Sequence, residues 1–163
     1  MPVMAADRIS RIYLDESTIL VRSPAVEQER AVALRDLVAH NTFRPVRAAE
    51  GGHSGPWALA LSVMDGRLAI DVRDAEGTPA GIIGVGLARF KRVVREYFAI
   101  CDSYYKALRN PSAQELETID MARRAIHDRG TRQLEEALEG KIETDFETAR
   151  RLFTLICVLH IKA

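Results

Sequence analysis

Four polar residues of one predicted helix, Asp120, Arg123, Arg124 and His127, have a spacing that brings side chains together. Steps of three and four residues place them on adjoining parts of one helical face. Two guanidinium groups can hold an anion through paired hydrogen bonds, and an imidazole titrates near neutral pH. The same spacing is typical of surface ion pairs, each worth about 0–1 kcal/mol, and this is the simpler interpretation.

A second pair of arginines, Arg150 and Arg151, precedes the most apolar stretch of the chain, Leu152–Leu159. Glu147 lies three and four residues back, in ion-pairing position. If both arginine pairs face one gap between helices, their joint field suits phosphate or carboxylate. A bridge from Arg150 or Arg151 to Asp120 is an equally economical and purely structural alternative, because a buried charge needs a partner.

Other candidate sites carry weaker signals. Gly81, Gly84 and Gly86 lie within a predicted antiparallel strand, so they do not form a dinucleotide-binding turn. His53 lies in a glycine-rich segment without a companion ligand, which is typical of a solvated histidine. The basic and aromatic residues at the start of the long helix favour a solvated face over a nucleic-acid site.

Composition excludes several classes of protein. The 23 basic and 23 acidic side chains balance, so no global field directs the chain to nucleic acid or to a membrane. No apolar run approaches the length of a membrane span, and the N-terminal residues do not read as a signal peptide. Cys101 and Cys157 lack metal-ligand spacing and fall on apolar helical stripes, which indicates core packing. We therefore expect a cytoplasmic protein with no cofactor and no metal.

Three alternating apolar segments between Trp57 and Leu87 predict an antiparallel meander. A two-residue turn at Asp65-Gly66 pairs residues whose numbers sum to 131, and a turn at Glu76-Gly77 pairs those that sum to 153. Both registers place Leu68 and Ile70 on the same apolar face as their partners, which supports the assignment because a one-residue slip would expose them. Residues 8–14 predict an additional edge strand.

The rest of the chain is predicted to be mostly helical. Ser23 and Pro24 suit the start of a first helix that runs to His40, with Asn41 at its end. Residues 44–55 are predicted to be an exposed, mobile loop. The first helix is predicted to turn Val26, Ala33, Leu34, Leu37 and Val38 inward and Glu27, Glu29, Arg30 and Asp36 outward.

Helical periodicity predicts four further helices. A long helix spans 88–109 and ends at Asn110-Pro111. The next begins with a capping box at Ser112 and Glu115 and stops at Gly130. A short helix follows over 132–139. A second capping box, Thr144 with Glu147, opens a final helix that reaches Ile161.

The chain resembles an uncharacterised protein family of small alphaproteobacterial proteins. The resemblance is carried by VEQERAVAL (26–34), REYFAICDSYYKAL (95–108), IDMARRAIHDRG (119–130) and GKIETDFETARRLFTLICVL (140–159). It implies a bacterial, soluble, single-domain protein and supplies no activity, cofactor or catalytic residue. The polar residues that it places within motif segments are Glu29, Arg30, Asp120, Arg123, Arg124, His127, Asp145, Arg150 and Arg151.

The patterns together predict one α+β domain over 1–163, with a sheet region over about 8–87 and a helical region over about 88–163. The sheet is predicted to be a three- to four-stranded antiparallel meander packed against an N-terminal helix, a long helix and a C-terminal helical bundle. The leading functional hypothesis is a non-enzymatic binding protein for a small anion or for an acidic segment of a protein partner. The alternatives are an enzyme with His127 as general acid–base, and a homodimer subunit that pairs through the long helix. The candidate ligand-binding residues are Asp120, Arg123, Arg124, His127, Arg150 and Arg151.

Overall fold

Antiparallel hairpins form the centre of the sheet in the computed structural model, which describes residues 6–16, 24–109 and 112–160, without the side chains of Ala25 and His160. Within these residues the strands are β1 (Ile9–Leu14), β2 (Phe43–Pro45), β3 (Trp57–Met64), β4 (Arg67–Arg73), β5 (Pro79–Gly86) and β6 (Ile142–Thr144). Four of them form one sheet in the order β1-β3-β4-β5, and β2 pairs with β6 in a separate ribbon.

The predicted meander is confirmed, and so is its register as far as the Asp71–Ile82 pair; beyond that pair an irregularity shifts the register, so that Arg73 lies opposite Pro79. Leu61 of β3 lies opposite Ile70 of β4, and Ile70 lies opposite Ile83 of β5. The turn residues Asp65 and Gly66 both have positive φ, at 53° and 73°, as a two-residue hairpin turn requires. The apolar face of the meander is thereby fixed towards the helices.

The predicted edge strand is present as β1, but it runs parallel to β3 and not antiparallel, so the sheet is mixed. A parallel pair needs a crossover connection, and the elements between β1 and β3 supply it. Asn41 holds the strand in place: its Oδ1 accepts from Ile9 N at 2.6 Å, and its Nδ2 donates to the carbonyls of Ile9 and Leu37. One amide therefore ties the end of the first helix to the sheet.

The described residues contain five α-helices. They are α1 (Pro24–Ala39), α2 (Val46–Glu50), α3 (Lys91–Ala107), α4 (Ala113–Leu138) and α5 (Phe146–His160), with a 3₁₀ turn over Ala88–Phe90 before α3. No helix in this part of the chain is long and apolar enough to cross a membrane. The predicted Ser23 cap, the Asn110-Pro111 break and the helix end at Ile161 fall outside the described residues.

Two of the orientations predicted for α1 are wrong. Val38 was expected to face inward, but it is 43% exposed. Glu29 was expected to face solvent, but it turns towards α3 and α4 and binds Tyr97 and Arg123. The apolar periodicity of α1 is weak, so the sequence does not define its buried face sharply.

Residues 44–55 do not form the predicted loop. They contain the end of β2 and the short helix α2, and the pairing of β2 with β6 ties them to the C-terminal part of the chain. Phe43 and Ala48 are buried in the core. The glycines and proline of this segment gave no indication of a distant strand partner, because that pairing joins residues about a hundred positions apart.

The start of α5 also differs from the prediction. Asp145, and not Thr144, caps the helix, because Asp145 Oδ1 accepts from Thr148 N at 3.0 Å. The Thr144 hydroxyl instead donates to the Thr42 carbonyl, and the Thr42 hydroxyl accepts from Asp145 N. The predicted capping box at Ser112 does form, since Ser112 Oγ accepts from Glu115 N.

Helix α5 lies at the centre of the helical layer and contacts α1, α3, α4 and β3. Its residues from Leu152 to Leu159 are all buried, which agrees with the prediction of a surrounded helix. Cys101 and Cys157 are free and buried within this core. Burial raises the pKa of the Cys101 thiol to about 12, which keeps it protonated and unreactive.

Helix α4 continues through Gly130, where the sequence predicted a stop and a separate short helix. The glycine serves a close approach between helices: a Cβ there would lie 2.1 Å from Phe153 Cζ of α5. The ring of Phe153 therefore occupies the space that any side chain at position 130 would need. Gly130 is therefore required by the packing of α4 against α5, although glycine near a helical boundary usually indicates a C-terminal cap.

We expect Gly130→Ala to destabilise the protein by about 1–3 kcal/mol or more, because the added methyl group overpacks the α4–α5 contact. This outcome opposes helix propensity, which favours alanine over glycine by about 1 kcal/mol. Urea denaturation gives the free energy of unfolding. A second substitution, Phe153→Leu, should recover part of the loss in the double variant, and an unchanged or raised stability of Gly130→Ala would contradict the packing role.

Candidate functional site

A cleft of about 210 Å³ opens between α1, α4 and α5. Five of the six candidate residues line it, and Asp120 lies beside it. The lining residues are Glu29, Val32, Ala33, Asp36, Tyr97, Arg123, Arg124, His127, Glu147, Arg150, Arg151 and Thr154. The arginine pairs of α4 and α5 thus lie along one depression, and α1 contributes carboxylates that the sequence did not assign to it.

Arg123 is held by two carboxylates. Its Nη2 donates to Asp120 Oδ1 at 2.7 Å, and its Nη1 donates to Glu29 Oε1 at 3.1 Å. Its guanidinium also lies 4.6 Å from the centre of the Tyr104 ring. Burial lowers the pKa of Arg123, but the Asp120 hydrogen bond and the Glu29 charge outweigh it and raise the pKa overall. Arg123 therefore stays charged, and its charge is balanced by two carboxylates.

Glu29 and Tyr97 extend this network towards the core. The Tyr97 hydroxyl donates to Glu29 Oε2 at 2.9 Å, although the two residues are far apart in sequence. Burial, followed by the charge of Glu29, raises the pKa of Tyr97, so its hydroxyl stays protonated as a donor. The network joins α1, α3 and α4 through one carboxylate, a role for Glu29 that the sequence analysis missed.

Arg124 makes a single, more exposed ion pair. Its Nε lies 3.2 Å from Asp120 Oδ2, and its side chain is 60% exposed. Among the described residues, Asp120 pairs with the two arginines of its own helix and with neither arginine of α5. The alternative of a structural bridge from Asp120 to α5 is therefore not what the structure contains.

Arg150 is the least satisfied cation in the cleft. Its Nε lies 3.5 Å from Asp128 Oδ1, and its Nη1 lies 3.7 Å from Glu147 Oε1, both longer than a good hydrogen bond. The Nε atom is buried and has no hydrogen-bond partner among the described residues. A buried donor of this kind is costly to leave unpaired, so Arg150 is the arginine of the cleft whose hydrogen-bonding capacity is least used.

Arg151 has a structural contact at the rim. Its Nη1 donates to the carbonyl of His40 at 3.2 Å, just past the end of α1. A cation at a helix C-terminus is favoured by the helix dipole, so this contact stabilises the α1–α5 pair. Arg151 also lines the cleft.

His127 is buried and lies between two threonines. Its Nε2 is 2.7 Å from Thr154 Oγ1, and its Nδ1 is 3.4 Å from Thr131 Oγ1. Both hydroxyls also donate to backbone carbonyls, that of Thr131 to His127 at 2.8 Å and that of Thr154 to Arg150 at 3.3 Å. Burial, then the charges of Arg150 and Arg123, lowers the pKa of His127 from 6.5 to about 3. At neutral pH the imidazole is therefore uncharged.

The cleft carries a small excess of positive charge. Four arginines and three carboxylates line it, and His127 contributes none. Beyond the lining residues, Asp120 pairs with Arg124 and Asp128 lies beside Arg150, which reduces this excess.

His53 is not the solvated histidine that the sequence predicted. Its Nδ1 lies 2.7 Å from Asp74 Oδ2, and Asp74 Oδ1 accepts from the backbone N–H groups of Glu76 and Thr78. The His53 hydrogen bond is the largest influence that lowers the pKa of Asp74. The pair fixes the segment before β3 to the turn between β4 and β5. Elsewhere in the described chain, no three His, Cys, Asp or Glu side chains come together as metal ligands.

Comparisons with known proteins agree with the family resemblance seen in the sequence. A model of the uncharacterised protein family UPF0262 matches residues 6–162. A UPF0262 protein of Erythrobacter litoralis is 61% identical over 159 residues, which cover 98% of this chain and 99% of the relative. Those of Novosphingobium aromaticivorans and Rhodopseudomonas palustris are 58% and 49% identical, over 98% and 96% of this chain and 99% and 93% of their own. No solved structure matches the chain.

The lowered pKa of His127 predicts that stability falls in mild acid. Below pH 6.5 His127 binds a proton in the unfolded chain, whereas in the folded chain it stays unprotonated down to about pH 3. Stability is thus fully present above pH 6.5 and should fall by about 2 kcal/mol between pH 6.5 and pH 5. Urea denaturation at both pH values measures the loss. His127→Gln should remove most of this pH dependence, and an equal loss in the variant would exclude His127 as its source.

Tyr97→Phe should destabilise the fold by about 1–2 kcal/mol, because it deletes a buried hydrogen bond to a charged carboxylate. Thermal and urea denaturation measure the effect. Tyr105→Phe is the matched control on the same helix, since the Tyr105 hydroxyl has no hydrogen bond to another described residue. Equal effects of the two substitutions would show that the Tyr97–Glu29 contact contributes nothing specific.

Proposed function

The chain belongs to the uncharacterised protein family UPF0262, and from the cleft between α1, α4 and α5 we propose that it is a non-enzymatic protein that binds a small anion. The Arg150 guanidinium carries this proposal. It lies in the cleft with a buried Nε that lacks a hydrogen bond to any described residue, and its nearest carboxylates stand 3.5 and 3.7 Å away. An anionic oxygen that binds the Nη groups of this guanidinium would supply the close contact that these carboxylates do not make.

The size of the cleft limits the ligand. Its volume of about 210 Å³ is below the range of roughly 300–1,000 Å³ that is usual for sites of drug-sized molecules. A phosphate group or a short carboxylate fits this space, whether it is free or carried on an acidic side chain of a protein partner. Arg124 and Arg151 also line the cleft and add positive charge to it.

The geometry supports binding more than catalysis. A general acid–base residue works best when its pKa lies near the working pH, and the pKa of His127 is lowered to about 3. Its Nε2 is also engaged by Thr154. The homodimer alternative has less support as well, since Val93, Val94, Tyr97 and Cys101 of the α3 stripe are buried within the chain.

The cytoplasm is the compartment that we propose. The two thiols of the chain, Cys101 and Cys157, are free and buried, which suits a reducing environment. A fractionation experiment with the tagged, full-length protein would test this assignment.

Thermal-shift measurements with inorganic phosphate, sulfate and citrate test anion binding. At a ligand concentration one hundred times Kd, binding contributes about 2.7 kcal/mol and should raise Tm by on the order of 5–10 °C. Sodium chloride of equal ionic strength controls for screening.

Arg150→Gln should abolish the shift, because it removes the charge and the unsatisfied donor together. Arg92→Gln is the matched control, since the Arg92 side chain is 91% exposed on α3, away from the cleft. A shift that persists in Arg150→Gln, or no shift with any of the anions, would contradict the proposal.

A further inference from the structure

Strand β5 is an outer strand of the four-stranded sheet, and within the described residues it pairs only with β4. Lys141 Nζ donates to the Gly84 carbonyl at 3.2 Å from the side opposite β4. In an antiparallel strand the N–H and C=O of a residue point to the same side, and alternate residues share that side. The backbone groups of Ile82, Gly84 and Gly86 therefore face away from the sheet, where another strand can pair with them.

A groove of about 390 Å³ runs beside this edge, between β5, α2 and the turn that joins α4 to β6. Its floor is apolar and includes Ala48, Val72 and Ile83, while Ile82 is 69% exposed at its border. The volume falls in the range of sites that hold a ligand or several side chains. The groove is separate from the arginine cleft and shares no residue with it.

The groove has one sign of charge. Arg47, Arg67 and Lys141 line it, and no aspartate or glutamate does. None of the three pairs with a carboxylate of the described residues. The Arg67 guanidinium lies across β5, because a Cβ at Gly84 would be only 3.1 Å from its Nη2. The glycine leaves the space in which that cation lies flat against the strand.

We propose that the edge of β5 binds an extended acidic segment of another protein, which joins the sheet as a fifth strand. The segment pairs its main chain with Ile82, Gly84 and Gly86, and its alternate side chains enter the apolar groove. Its carboxylates meet Arg47, Arg67 and Lys141. A second copy of this chain is a poorer occupant, because edge-to-edge pairing would bring two sets of these cations together.

Lys141 has two positions in this proposal. Without a partner its ammonium group donates a hydrogen bond to the Gly84 carbonyl. This contact hinders non-specific pairing at the edge, a common role of lysine at sheet edges. When an acidic segment arrives, a carboxylate attracts the ammonium more strongly than a neutral carbonyl does, and the Gly84 carbonyl becomes free for the incoming strand. The edge is therefore selective for acidic strands.

The test uses the full-length, ¹⁵N-labelled protein and two capped heptapeptides, one of alternating glutamate and valine and one of alternating lysine and valine. The acidic peptide should shift the amide signals of Ile82, Gly84 and Gly86 and slow their hydrogen exchange at least tenfold. The basic peptide should bind at least tenfold more weakly. Equal affinity for both peptides, no binding, or shifts confined to the Arg150 cleft would overturn the proposal.

Charge reversal sharpens the test. Lys141→Glu should weaken the acidic peptide at least tenfold and strengthen the basic one, whereas Arg92→Glu on α3 should change neither. Arg47→Glu provides the same comparison if Lys141→Glu does not fold by far-UV circular dichroism. Sedimentation of the peptide-free protein adds a further outcome: a dimer that broadens the Ile82 and Gly84 signals would assign this edge to a second copy and refute the proposed partner.

Discussion

The close contact between α4 and α5 at Gly130 is the constraint on which the helical half of the molecule depends. With no side chain at this position, the ring of Phe153 reaches the backbone of α4, and α5 becomes the buried centre of the helical layer. The same contact brings His127 of α4 within hydrogen-bond distance of Thr154 on α5. It also fixes the distance between the two arginine pairs, so core packing defines the cleft before any charge is considered.

The charges of the cleft divide into a structural set and an open set. Glu29 and Asp120 bind Arg123, and Tyr97 donates to Glu29, so this arginine joins helices. The carboxylates near Arg150 are more distant and leave one of its donors unsatisfied. Each of these arginines has one carboxylate on its own helix and one on another helix, but those of Arg123 lie at 2.7 and 3.1 Å and those of Arg150 at 3.5 and 3.7 Å.

Local sequence patterns predicted the structural features that depend on short-range interactions. The meander register follows from two turns and the alternation of side chains, and the helical stripe of α3 and the cap at Ser112 follow from short-range periodicity. Long-range pairing could not be predicted in this way. The parallel direction of β1, the β2–β6 ribbon and the His53–Asp74 contact join distant segments, and nothing near either partner specifies them. Gly130 was wrongly predicted to end a helix for a related reason, since the group that requires glycine there is the Phe153 ring of another helix. At the candidate site, the spacing identified the arginines and His127, but the inward turn of Glu29 and the uncharged state of the imidazole required the packed structure.

Asn41 couples the folding of two segments that are remote in the sequence. Its carboxamide donates to the Leu37 carbonyl at the end of α1 and also bonds the backbone N–H and carbonyl of Ile9. The strand therefore gains its anchoring partner only when the helix has already ended in the right place. Strand β1 and the C-terminal end of α1 should therefore unfold together and not in separate steps.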